Sequence, residues 1–229
     1  MINRKYIQMS AGFWMLYCVS GGFVSLYLQS RGIDNQGIGI VTALFGAVSA
    51  VLQPILGNLC DRSSRMTWKQ MILCLAIPFL LVCVLMLFVP GKLAAAVFIG
   101  LLLLLGNTIL PFLNGAMSYY QQKKEYINYG IARGVGSGLF ALTALLIGNL
   151  AERYGPNTVS VAGIAITGLF LLFVLRMPCD PQKYISPQSR KRNDGFIKRY
   201  PAFVLMTAAF VILSTSHNIV GTYLLQLIQ

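Results

Sequence analysis

Along the chain, apolar residues come in blocks of about 20 or more, each long enough as a helix to cross a hydrocarbon core of about 30 Å. The blocks cover residues 6–29, 37–56, 69–89, 93–119, 129–148, 157–175 and 201–225, and they predict seven membrane-spanning helices. Short polar turns join most of them. In RGIDNQGIG, after the first block, Asp34 or Asn35 is placed to cap the second helix. QQKKE, after the fourth, is short enough to make spans 4 and 5 an antiparallel hairpin. The exception is RMPCDPQKYISPQSRKRNDGFIKRYP after the sixth block, which is basic, polar and broken by prolines, and reads as a loop or interfacial helix.

Composition agrees with the pattern. The 229 residues are 56% hydrophobic and 10% charged, against about a quarter charged in a soluble domain. A soluble core of this length has no room for seven such helices. The net charge of +12 would point to nucleic acid in a soluble protein, but its distribution changes that reading. Fourteen Lys and Arg fall on the amino terminus and the even-numbered connections; three, Arg31, Lys92 and Arg153, fall on the others. This asymmetry predicts a cytoplasmic amino terminus in the plasma membrane, with anionic lipid headgroups as a partner and no nucleic acid. The first block is too long for a cleaved signal peptide and lacks a small-residue cleavage pattern before Arg31. Five cysteines set out no disulfide framework and no metal-ligand spacing, and no cofactor is expected.

The candidate chemistry lies inside the spans. In YGIARGVGSGL, Arg133 shares a helical face with Gly130, Gly134, Ser137 and Ala141, a small-residue stripe that would admit a close neighbouring helix. On span 4, Asn107, Pro111 and Asn114 fall on one face. Asn114 and Arg133 are equally far from the middle of the QQKKE turn, which predicts similar depths of roughly 12 to 15 Å and a pairing between them. Span 1 places Tyr17, Ser20, Gly21 and Tyr27 on one face. Span 3 is uniform apart from Pro78 and reads as a lipid-facing support. Span 7 carries Ser214, Thr215, Ser216, His217 and Asn218, and His217 can hydrogen bond a solute or carry a proton. All six acids, Asp34, Asp61, Glu125, Glu152, Asp180 and Asp194, fall in connections or at span ends. Arg133 therefore either holds helices together, takes an anionic solute, or donates to a neutral polyol beside amides and water.

Two segments carry a family resemblance. In GNLCDRSSRMTWK, the residues Gly57, Leu59, Asp61, Arg62 and Arg65, followed by Lys69, resemble the loop between spans 2 and 3 of major facilitator superfamily transporters, with Ser64 and Met66 departing from the pattern. YGIARGVGSG resembles span 5 of the oligosaccharide–proton symporter (lactose permease-like) group, in which an arginine binds sugar hydroxyls beside an acid on span 4; here Asn114 and Ser118 stand where that acid would be.

The resemblance implies an all-α integral membrane protein. Residues 1–177 would form a six-helix amino-terminal bundle of two inverted three-helix repeats, 178–199 a basic cytoplasmic linker, and 200–229 the first helix of an incomplete carboxy-terminal bundle. It also implies a truncated chain whose partner would be the missing bundle. The expected function is secondary active transport of a small polar solute, sugar-like or anionic, by alternating access, coupled to an ion, a proton in preference to sodium. Arg133, Asn114, His217, Asn107 and Tyr17 would bind the solute, and Gly57, Asp61, Arg62 and Arg65 would form a conformational latch. A non-transporting receptor or scaffold of the same fold and a multidrug-type efflux carrier remain as alternatives. An intramembrane enzyme is poorly served by one histidine and no mid-span carboxylate.

Overall fold

The computed structural model describes residues 2–62, 66–88, 91–179 and 200–227, with side chains at all of these except Arg62 and 215–227. Every described element is a helix. In chain order they are α1 (Ile2–Tyr17), a π-turn (Cys18–Gly22), α2 (Val24–Ser30), α3 (Asn35–Arg62), α4 (Trp68–Leu85), a 3₁₀ turn (Met86–Phe88), α5 (Lys92–Gln122), α6 (Tyr129–Tyr154), α7 (Asn157–Arg176) and α8 (Pro201–Leu227). Polar residues between the apolar blocks set several of these ends. Asp34 accepts from the Gly37 N–H at 3.0 Å ahead of α3, Thr67 and Gln70 form a reciprocal capping box on α4, and Asn128 accepts from the Ile131 N–H at 3.0 Å to open α6.

The chain divides into two compact units, one holding α1–α7 and the other α8. In the first, α3, α4 with its 3₁₀ turn, α5, α6 and α7 are each long and apolar enough to cross a membrane, and α1 with α2 makes a sixth span bent by 41°. The first apolar block is thus a broken helix where its sequence reads as continuous. Two features of CVSGG account for the break. Ser20 Oγ donates back to the Tyr17 carbonyl at 3.1 Å, drawing that oxygen out of the ordinary ladder, and Gly21–Gly22 follow with no side chain to stiffen the turn.

The six spans pair by exchange. α1 packs on α6 and α7, α5 packs on α3 and α4, and α4 meets α7. Taking the chain as two triplets, the first span of each triplet lies against the second and third members: α1 on α6 and α7 across the triplets, α5 on α3 and α4 across them in return. That reciprocity, with an odd number of spans per triplet reversing the direction of the second, is the arrangement of two inverted three-helix repeats. Each leading contact is built on a glycine receiving an aromatic ring. A Cβ on Gly136 of α6 would enter the Trp14 indole of α1, and one on Gly100 of α5 would enter the Phe45 ring of α3. α4, expected as a lipid-facing support, has two sides: Ile72, Ala76, Phe79 and Cys83 are fully buried between α5 and α7, whereas Ile77, Leu81 and Leu85 are exposed. Inside a membrane both the packed and the lipid-facing side of a helix are apolar, so a uniform sequence does not mark which is which.

At the end of the unit where the chain begins, the last carbonyls of α7 are held by side chains from three other helices. Lys5 Nζ donates to the Arg176 carbonyl at 3.2 Å. Lys69 Nζ donates to the carbonyls of Leu175 at 2.9 Å and Met177 at 2.8 Å, and the Tyr120 hydroxyl donates to that of Pro178. These are the groups a helix terminus leaves without intrahelical partners, and cations are favoured there by the helix dipole.

Candidate functional site

The site is built outward from Arg133. Because Asn128 caps α6, the helix begins at Tyr129, and Arg133 lies only about 6 Å of helix beyond that start at 1.5 Å per residue. α5 by contrast stays helical to Gln122, which leaves Asn114 about 12 Å from its own end. Equal sequence distance from the turn therefore does not translate into equal depth. The expected pairing does not form. Asn114 is exposed, its side chain makes no hydrogen bond among the described residues, and its carbonyl accepts from Ser118 Oγ at 3.4 Å.

Arg133 instead lies over Trp14 of α1, with its guanidinium carbon 3.6 Å from the ring centroid, and its Nη1 donates to Ser137 Oγ at 3.0 Å. The small-residue face around it, Gly130, Gly134, Ser137 and Ala141, is exposed, and nothing lies within 4 Å of where a Gly134 Cβ would stand. The close approach of α6 to α1 is made on the adjoining face. There Gly136 meets Trp14, and Ser10 Oγ donates to the Ala132 carbonyl at 3.4 Å.

From Trp14 a row of side chains continues across the unit. Trp14 contacts Tyr17 edge to face with centroids 5.5 Å apart, the Tyr17 hydroxyl donates to Asn107 Oδ1 at 3.0 Å, and Gln53 Nε2 donates to the Asn107 carbonyl at 3.3 Å. Four spans thus contribute to one polar and aromatic row: α6, α1, α5 and α3. Tyr17 and Asn107, both expected site residues, are brought together. Trp14 and Gln53 were not expected. Gln53 had a readable signal, an amide inside an apolar helix, whereas Trp14 sits in the run FWMLY and had none.

The magnitudes show what remains open. On insertion scales an arginine costs about 2.5–3.5 kcal/mol at the centre of a membrane helix, an upper bound for Arg133, which stands about 6 Å from the start of α6. A cation–π contact returns about 0.5–2 kcal/mol and one neutral-acceptor hydrogen bond about 0.5–1.5 kcal/mol. Of the five guanidinium N–H donors, one is committed to Ser137, and no other makes a hydrogen bond among the described residues. The arrangement suits recognition of a polar or charged solute by hydrogen bonding. It does not assemble an acid, a base and a nucleophile.

The remaining expected residues are placed as follows. Gly57 has nothing within 4 Å of its would-be Cβ, so no close backbone contact requires a glycine there. Asp61 is exposed in the last turn of α3. The side chain of Arg62 and all of Arg65 lie outside the described residues, as does the side chain of His217 within α8. Lys69, next to that cluster in sequence, is committed to the α7 carbonyls.

Among known families, the MFS_1-like family matches residues 6–227. The chain belongs to the MFS_1-like family. No curated protein and no solved structure matches it. Membership makes this MFS_1-like chain a multi-pass membrane protein of the major facilitator superfamily, a family that points to transport. The match runs through both units, from within α1 to the end of α8.

Proposed function

We propose that this MFS_1-like protein is a secondary active transporter that moves a small polar solute, sugar-like or anionic, across the plasma membrane by alternating access. The observation that carries the reading is Arg133: a cation in an apolar helix, seated on Trp14, with donors to spare and no carboxylate beside it among the described residues. The adjoining Tyr17–Asn107–Gln53 hydrogen bonds supply a polar wall. Asn114 is a further solute contact in this proposal, and His217, whose side chain lies outside the described residues, is proposed as a proton carrier, which favours protons over sodium as the coupling ion. The amino terminus, the Lys5 and Lys69 contacts and the Gly57–Asp61–Arg62–Arg65 latch face the cytoplasm, as the excess of Lys and Arg on that side supports.

Uptake of candidate solutes into vesicles tests this. Arg133→Ala is expected to abolish saturable uptake while the purified protein keeps its elution profile. Undiminished uptake by a folded Arg133→Ala protein would remove Arg133 from the site. Single cysteines at Arg31 and Lys123 test orientation, with labelling from outside expected only at the first.

A further inference from the structure

Resting on that transport reading, we propose that the solute carries an oxyanion, a carboxylate or phosphate, bound in the plane of the Arg133 guanidinium. Three observations converge on this class. The first is the way the guanidinium is held. Trp14 covers one of its faces at 3.6 Å and Ser137 takes one Nη1 proton, so a solute meets the remaining edge, whose parallel N–H groups match two oxygens of one oxyanion. The indole face that could stack a sugar ring is the one already under the guanidinium.

The second observation is the balance of donors and acceptors. A neutral polyol brings hydroxyl protons that need acceptors, and arginine offers none. Several neighbouring acceptors already receive a bond: Asn107 Oδ1 from Tyr17, the Asn107 carbonyl from Gln53, and Ser137 Oγ from Arg133 itself. At the guanidinium the solute therefore meets donors only, the complement of an anion. The third is charge. Asp34, Asp61, Glu125 and Glu152, the acids among the described residues, all stand at helix ends or in connections. A neutral solute leaves the Arg133 charge uncompensated, whereas an anion neutralises it on arrival.

Trp14 makes the proposal measurable. The chain has two tryptophans, so Trp68→Phe leaves Trp14 as the single fluorescent reporter directly beneath Arg133. The purified full chain is titrated at constant ionic strength in chloride with matched pairs: gluconate and glucose, lactate and 1,2-propanediol, glycerol 3-phosphate and glycerol. The expected result is a saturable change in Trp14 emission with at least one anion, at least tenfold weaker with its neutral partner. Arg133→Gln is expected to remove it, and Arg133→Lys, which keeps the charge without the fork, to weaken it severalfold. If Arg133→Gln does not fold, the lysine variant decides, and unchanged anion binding there overturns the in-plane contact. A saturable response that favours the neutral partner and needs Arg133 overturns the anion class while leaving the transport site standing. A response that persists without Arg133 overturns the site itself. Silence from every pair up to tens of millimolar also overturns the proposal.

Discussion

Lys69 and Arg133 each bring one full charge to the same helical unit, and they differ in what the fold supplies for them. Lys69 donates to two backbone carbonyls at the end of α7, oxygens that the helix leaves over and that favour a cation. Arg133 receives a ring face and one hydroxyl. The first cation completes a structure; the second is held in position with donors in reserve. A charge that the protein satisfies is a structural element, and one that it orients without satisfying is available to something that arrives.

That contrast can be broken most directly by exchanging the effects of the two residues. Arg133→Gln is expected to lower solute binding or uptake by at least tenfold, with thermal unfolding in detergent moved by no more than about 2 °C, because the exposed cation contributes only one cation–π contact to α1. Lys69→Met is expected to do the reverse. It strands two terminal carbonyls at a partly exposed site, costing about 1–2 kcal/mol of stability, and it should raise the rate at which Cys179 is labelled by maleimide, with Lys69→Arg restoring most of the loss. If the two variants lose comparable stability, the distinction between a completed and a reserved cation fails. Tyr17→Phe sharpens the comparison at the far end of the row. It removes the bond to Asn107, at a cost of about 1 kcal/mol by denaturant titration, and frees an acceptor, so neutral polyols should gain affinity relative to anions. The smallest effect is expected from Trp14→Phe. It keeps a ring beneath the guanidinium but weakens the cation–π contact by about 0.5 kcal/mol, readable as a two- to threefold rise in the anion's dissociation constant.

Much of this was legible in the sequence because membranes impose a simple rule on it. Block length marked the six spans of the first unit, and the absence of mid-span acids left Arg133 without a carboxylate before any geometry was known. What was not legible depended on contacts between distant helices or on a local backbone choice. The pairing of Arg133 with Trp14 requires α1 and α6 to meet, and no local pattern records that. The depth of Arg133 turned on Asn128, whose capping side chain starts α6 late while α5 continues to Gln122; an asparagine before an apolar run was a signal that the symmetric hairpin reading passed over. The burial of α4 was hidden for a different reason, since apolar residues serve lipid and protein neighbours alike.

The exchange of partners between the two triplets also sets an order of assembly. α1 finds its neighbours very late in the chain: Tyr6 donates to a carbonyl 107 residues on, Ser10 to one 122 on, and Lys5 to one 171 on. A ribosome that has delivered the first three spans has made a helix whose Tyr6 and Ser10 acceptors, the Leu113 and Ala132 carbonyls, are still to come. The unit can close only when α6 and α7 enter the bilayer. Until then the first span waits among lipids, and membrane insertion and folding of this chain become two separate events in time.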